Sequence, residues 1–200
     1  MALPSTTAQH LPLPKDAFYR ELSVKSKLRQ RFVDEVASIT VVGSISPTTT
    51  NLADGQHVHE ILLIDVEPKE DKGVSDAVYL TIDKANGHKK LYVREDESEC
   101  VVILSGQVMR LPGGADLTLY GRDLDQAWDC LLAQVYYGER VGTNTEARIL
   151  RDRKIQTLEA EATRLEERAR KETQRNRKND LFNQARQKRH QLELLRSANP

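Results

Sequence analysis

The chain has 200 residues, of which 38% are hydrophobic and 30% charged, and its formal net charge is zero. That composition argues against one large globule and fits a modest core joined to a long solvated helix. The charge is uneven: residues 151–200 hold fourteen Lys and Arg against eight Asp and Glu, and the remainder holds sixteen against twenty-two. An acidic body with a basic arm is therefore expected.

No stretch has the features of a secretory signal or the length and apolarity of a membrane span. Cys100 and Cys130 lie among apolar residues and lack the spacing of a zinc site. The sequence therefore predicts a cytoplasmic protein with two reduced, buried thiols and no contact with a membrane.

The first part of the chain is expected to lead into a central strand. Residues 1–14 contain three prolines and predict a loose lead, after which two helices are expected, the second over 25–37. Residues 39–45 are rich in β-branched side chains and predict a strand. Residues 58–67 form the longest nearly unbroken apolar run, with apolar side chains on both faces, so they predict a strand in the middle of a covered sheet.

The next part of the chain alternates short strands and helices. A helix is predicted over 74–86, strands over 91–93 and 100–104, and a hairpin of strands 107–111 and 117–120 around the turn at 112–114. Asp123 or Asp125 is expected to cap a helix that runs to about Tyr137. Gly138 and Gly142 then break the chain, and the domain boundary is predicted at residue 142. The predicted fold class is α/β (α+β), with a mixed central sheet flanked by helices over 1–142.

Residues 143–200 predict a charged, coiled-coil-like helical arm. Two apolar seams run through it, and they are out of phase with each other across a polar break at 176–180. Either one long helix carries a phase shift and needs a second copy of the chain, or the chain reverses into a helical hairpin with its tip near residues 175–180. The hairpin is favoured because its stripes can cover each other. The seam positions are Ile155, Leu158, Ala162, Leu165 and Ala169, then Leu181, Ala185, Lys188, Leu192 and Leu195.

Five segments, taken in order, resemble an uncharacterised bacterial family, domain of unknown function 4391. They are LPKDAFY at 13–19, FVDEV at 32–36 followed by Ile39-Thr40, SPTTTNL at 46–52, Glu60-Ile61, and KETQRNRK at 171–178. The resemblance implies no established activity, cofactor or catalytic residue. It implies a setting, because members of the family are often encoded beside helicases and DNA methyltransferases in what look like phage-defence or restriction islands.

Asp65, Glu67 and Lys69 are the sharpest chemical candidates. Their spacing by two places them on one side of an extended strand. Glu-x-Lys at the end of a central strand, with an acid nearby, is the pattern of PD-(D/E)XK nucleases, in which Asp65 and Glu67 would hold Mg²⁺ and Lys69 would orient water. Against this, Pro68 interrupts the pair and the earlier acid would have to be Asp54, in a loop.

The arm carries the strongest run of uncompensated charge. Intrahelical pairs with interleaved glutamates are expected to offset part of it. The residues least compensated in sequence, and hence the predicted contacts to nucleic acid or a partner, are Arg175, Arg177, Lys178, Arg186, Lys188 and Arg189.

Three functions follow from these features. The favoured one is a non-catalytic accessory or adaptor subunit that binds a partner protein through the arm and needs no cofactor. The family resemblance implies that the partner belongs to a helicase- or methyltransferase-containing defence assembly. The first alternative is a Mg²⁺-dependent nuclease that uses Asp65, Glu67 and Lys69. The second is a sequence-tolerant nucleic-acid-binding protein that uses the basic arm.

Overall fold

The computed structural model describes residues 3–21, 25–69, 73–85, 87–94, 99–112 and 117–197. The chain forms two compact units, Met1–Thr145, called the body, and Glu146–Pro200, called the arm. The sequence placed this division a few residues earlier, at residue 142.

Within the described residues, the body is built on a six-stranded mixed sheet whose strands follow one another in chain order. All neighbouring strands are antiparallel except β3 and β4, which are parallel because helix α3 crosses over between them. The mixed sheet flanked by helices confirms the predicted fold class. The strands are β1 (Ala8–Pro12), β2 (Val36–Ile45), β3 (Ile61–Pro68), β4 (Lys89–Val93), β5 (Glu99–Leu104) and β6 (Gln107–Pro112).

Strand β3 is an interior strand, as its apolar run predicts. It pairs with β2 on one side and β4 on the other. Leu63 and Ile64 point to opposite faces of the sheet, and they are 2% and 1% exposed. Both faces of the sheet are therefore covered where these residues lie.

One face of the sheet is covered by three helices. Phe18 and Phe32 bring their stacked rings within 6.3 Å of each other, and Tyr79 meets Tyr92 of β4 edge-on at 5.1 Å. These aromatic pairs belong to one buried cluster with Ile64 and its neighbours on the sheet. The helices are α1 (Lys15–Glu21), α2 (Ser26–Glu35) and α3 (Asp76–Asp83).

The other face meets helix α4, Leu124–Tyr137, since the Lys89 ammonium lies 5.5 Å from the Trp128 ring. Asp123 caps this helix by accepting a hydrogen bond of 2.9 Å from the backbone N–H of Gln126. Gly138 ends it in the left-handed conformation, with φ of 69°. The predicted helix and its two ends are confirmed.

Both cysteines are free and buried, as predicted. Burial, followed by the nearby charge of Glu99, raises the pKa of the Cys100 thiol to about 12. A thiol with that pKa carries almost no thiolate near neutral pH and is a structural side chain.

Two predictions for the body are wrong. Residues 8–12 of the expected loose lead form β1, which pairs with β2; an edge strand can end in proline, so Pro12 does not prevent it. Residues 117–120 form no strand. The hairpin that β6 forms is instead with β5, through the Ser105-Gly106 turn, where φ is 50° and 72°. Gly113 and Gly114 of the predicted turn lie outside the described residues.

The arm is a helical hairpin of α5 (Thr145–Lys171) and α6 (Arg175–Ser197). Ion pairs join Glu159 to Arg196 and Glu166 to Arg189, so the two helices run antiparallel. The reversal lies at residues 172–174, slightly before the predicted tip, because the asparagines that follow are accommodated in exposed positions of α6. Among the described residues, no helix combines the length and apolarity needed to cross a bilayer.

Candidate functional site

The two predicted carboxylates lie side by side on β3. Asp65 stands opposite Thr40 of β2, and Glu67 stands opposite Ser38. The Ser38 hydroxyl donates a hydrogen bond of 2.8 Å to Glu67 Oε2. Asp65 is only 9% exposed, whereas Glu67 is exposed. The spacing by two therefore puts both acids on one face of the sheet, as the sequence predicts.

A polar cavity of about 500 Å³ lies over this part of the sheet. Strand β1 contributes one wall, and the ends of β2, β3 and β4 contribute the rest. Its hydroxyls, two carboxylates, imidazole and guanidinium suit a small polar ligand more than an apolar one. The lining residues are His10, Pro12, Ser38, Thr40, Asp65, Glu67 and Arg94.

Lys69 is not among the residues that line this cavity. It follows Pro68, where its backbone N–H donates a hydrogen bond of 2.7 Å to the Glu35 carbonyl, and it is exposed. The structure thus brings together two members of the predicted nuclease set and places the third elsewhere. Among the described lining residues, the cationic side chain is that of Arg94.

Arg94 is a site residue that sequence reasoning missed. It follows β4, and only the parallel pairing of β4 with β3 carries it to the end of the sheet where Asp65 and Glu67 lie. The alternation of strand and helix between residues 61 and 93 was the signal that could have found it, because strands joined by a helical crossover are parallel and end at the same edge.

Under the nuclease alternative, Asp65 and Glu67 would be the protein ligands of Mg²⁺, with water completing the shell. Within the described ranges, no group of three or more His, Cys, Asp or Glu side chains is arranged to hold a metal ion. The side-chain oxygen groups among the described lining residues are two carboxylates and two hydroxyls.

Lys90 is a second unpredicted residue, buried at 4% exposure on β4. Its ammonium donates hydrogen bonds to the carbonyls of Asp83 and His88, at 2.9 and 3.2 Å. Burial lowers the pKa of this lysine, and the charge of Asp83 opposes that shift. Since its donors are directed at the end of α3, Lys90 holds that helix against the sheet.

The arm divides the six predicted contact residues into two groups. Lys188 pairs with Glu161 at 2.7 Å, and Arg189 pairs with Glu166 at 3.1 Å, so these two cations are occupied by acids of the facing helix. The hydrogen bond from Lys188, followed by its charge, lowers the pKa of Glu161. The remaining four, Arg175, Arg177, Lys178 and Arg186, lie apart from such interhelical pairs.

A second cavity of the body, about 570 Å³, lies beside the loop at 46–52. The Thr49 hydroxyl donates to the Ser44 carbonyl at 2.8 Å, and the Thr6 hydroxyl donates to the Thr49 carbonyl at 2.6 Å. These bonds, one from the loop's own Thr49 and one from Thr6 outside it, hold the loop in shape. Among the described residues that line it, none has a charged side chain.

Comparison with known proteins identifies a family. The family model described as "Domain of unknown function (DUF4391)" matches residues 1–111, which include the six strands apart from the last residue of β6, and helices α1 to α3. Neither the curated proteins nor the solved structures contain a match.

Proposed function

The chain belongs to the DUF4391 family, and from this premise we propose that it is a non-catalytic adaptor subunit that binds a partner protein through its arm. The partner class is a helicase or DNA methyltransferase of a phage-defence or restriction assembly, the setting that the family resemblance implies. The arm lies beyond residues 1–111, which the family model matches.

One observation carries this proposal: the arm closes its own apolar seam. Leu158 and Ala162 of α5 and Ala185 of α6 are 2%, 0% and 2% exposed. Ion pairs between the helices reinforce the hairpin. A second copy of the chain is not needed to bury the seam, which leaves the outer surface of the hairpin for recognition.

The outer surface of the arm holds one large exposed apolar side chain among the described residues, Leu194, at 56% exposure. Protein interfaces concentrate their binding energy in a few buried anchors surrounded by polar contacts. Leu194 therefore serves as the anchor for the partner in this proposal.

The test compares Leu194→Ser with Leu11→Ser, a matched control on β1 of the body that is 54% exposed. Tagged protein is captured from its native cells, and helicase and methyltransferase subunits are quantified by mass spectrometry. The proposal expects Leu194→Ser to lose at least tenfold of the captured partner, equivalent to about 1.4 kcal/mol, and Leu11→Ser to retain it. Equal capture by both variants contradicts the arm as the binding element.

The nuclease alternative keeps one supporting observation, the shared cavity of Asp65 and Glu67. It predicts DNA or RNA cleavage that requires Mg²⁺ or Mn²⁺ and is abolished by Glu67→Gln. Lys69→Ala distinguishes two versions of this alternative. If the catalytic set is Asp65, Glu67 and Lys69, cleavage should be lost. If Arg94 takes the place of Lys69, cleavage should persist. Absence of cleavage by the purified protein counts against the alternative.

A further inference from the structure

A strongly basic patch lies at the reversal of the arm. Six cations and one acid, Glu172, occupy residues 168–178. Within the described part of the chain, none of the six has a side-chain ion pair or hydrogen bond, in contrast to Lys188 and Arg189 farther along α6. We call these six residues the arm tip: Arg168, Arg170, Lys171, Arg175, Arg177 and Lys178.

A favourable interaction with a helix dipole explains only three of these six cations. Arg168, Arg170 and Lys171 lie in the last turn of α5, where cations interact favourably with the helix dipole. At the start of α6 the dipole is positive, and acids are favoured there. That first turn has no acid and instead begins a segment with three cations, Arg175, Arg177 and Lys178. Their placement opposes the dipole, so folding of the hairpin does not account for them.

The side chains around these cations indicate the ligand. Residues 170–180 contain no apolar and no aromatic side chain. A protein interface would need apolar or aromatic anchors, and single-stranded nucleic acid would need aromatic platforms for its bases. Neutral neighbours such as Gln174 and Asn176 can donate to phosphate oxygens, as the cations do.

We propose that the arm tip binds the phosphate backbone of double-stranded nucleic acid without reading its sequence. This goes beyond the adaptor role: along α6, Lys178 and Leu194 are separated by about 24 Å at 1.5 Å per residue. Protein and nucleic acid would then occupy different parts of the hairpin. The adaptor would hold its partner enzyme and the duplex together.

The experiment measures binding of the full chain to a labelled 20-base-pair DNA duplex by fluorescence anisotropy, at roughly 50–200 mM salt. With three to six phosphates neutralised, the slope of log K against log salt is expected between about −3 and −5. The triple variant Arg175→Gln/Arg177→Gln/Lys178→Gln should lose about 2 to 3 units of slope and at least tenfold in affinity at low salt.

The matched control removes the same charge from exposed positions of the body, through Lys25→Gln/Lys27→Gln/Lys84→Gln. It should keep the affinity and the slope, and far-UV circular dichroism should show equal helix content in both variants. A duplex of unrelated sequence should bind equally, and a single strand of the same length should bind more weakly with a shallower slope.

Four results would overturn the proposal. They are no duplex binding at the lowest salt, a triple variant equal to the unchanged chain, a control that loses as much as the triple variant, and a single strand that binds as tightly as the duplex. If the arm tip instead binds an acidic protein, the chain should not bind the duplex at the lowest salt, and the triple variant should lose partner capture. Leu194→Ser should retain duplex binding, so failure of the adaptor role is distinguished from failure of this one.

Discussion

At the scale of single residues, Asp125 shows how one side chain fixes a loop. Its carboxylate accepts hydrogen bonds from the backbone N–H groups of Gln56, His57 and Val58, at 2.7 to 3.2 Å. The sequence offered Asp125 as an alternative cap for α4. The cap is Asp123. Asp125 instead holds the segment that precedes β3 through these hydrogen bonds.

This role predicts a pH dependence. Desolvation acts to raise the pKa of Asp125, but the three amide donors and the charge of His57 together lower it below its ordinary value. A lowered carboxyl pKa stabilises the fold above the unfolded pKa of about 3.9, and that contribution is lost as the pH falls through the folded pKa. Asp125→Asn should therefore lower the urea midpoint at pH 7, and the difference should shrink as the pH falls from about 5 to 3.

The control for this measurement is Asp180→Asn, at an exposed position of α6. Its midpoint should follow that of the unchanged chain at every pH. A deficit of Asp125→Asn that is equally large at acidic and neutral pH would refute the charged hydrogen bonds as its cause.

Ile64 tests the core of the body. It is 1% exposed on an interior strand and packs in the cluster beneath α1, α2 and α3. Ile64→Ala should cost about 2–5 kcal/mol of unfolding free energy, because it removes buried methyl groups and leaves a cavity. Val33→Ala, at a position 43% exposed, should cost about 0.5 kcal/mol or less in the same denaturant melt. Equal losses would mean that β3 is not the interior strand described.

At the scale of elements, the arm shows that two apolar seams out of phase with each other can predict a reversal of the chain. Two apolar seams out of register cannot belong to one straight face, so a reversal is the simplest way to cover both. The structure has that reversal, but at residues 172–174 instead of within 175–180. Helix propensities are too weak to fix the end of a helix to within a residue when interhelical packing sets it.

The seam predicts a contrast between two leucines of the arm. Leu158 is 2% exposed and Leu194 is 56% exposed. Leu158→Ala should destabilise the hairpin by about 2–5 kcal/mol, whereas Leu194→Ala should change its stability by about 0.5 kcal/mol or less. Thermal loss of helical circular dichroism measures both. A Leu158→Ala melt that coincides with that of the unchanged chain would show that the seam does not hold the hairpin.

At the scale of the whole molecule, the body and the arm are stabilised by different kinds of packing. The body has a core between sheet and helices, and the arm depends on the contact between its two helices. The compositional change near residue 145 anticipates this division, because alternating strands and helices give way to a charged segment with helical seams.

Removal of the arm is therefore expected to leave a folded body. A chain ending after Thr145 should keep a cooperative denaturant transition and lose both partner capture and duplex binding. Cutting after Thr145 preserves the bond from its backbone N–H to Asp129, at 3.0 Å. A truncated chain that unfolds without a cooperative transition would mean that body and arm fold as one unit.

The sequence by itself determined the elements whose signals are local. The apolar run of β3, the capped and glycine-ended α4, the buried cysteines and the two seams of the arm all follow from periodicity, capping chemistry and composition. The pairing of Asp65 with Glu67 on one face was equally local, since residues two apart on a strand share a face.

Only the tertiary structure decided which distant residues meet. Arg94 joins Asp65 and Glu67 because β4 is parallel to β3. Lys69 lies outside their cavity, and its backbone N–H donates to the Glu35 carbonyl. The lead becomes β1 because β2 offers it an edge. The same holds in the arm, where Lys188 and Arg189 are neutralised by acids 27 and 23 positions earlier. Such contacts depend on strand order and chain reversal, which local periodicity does not encode.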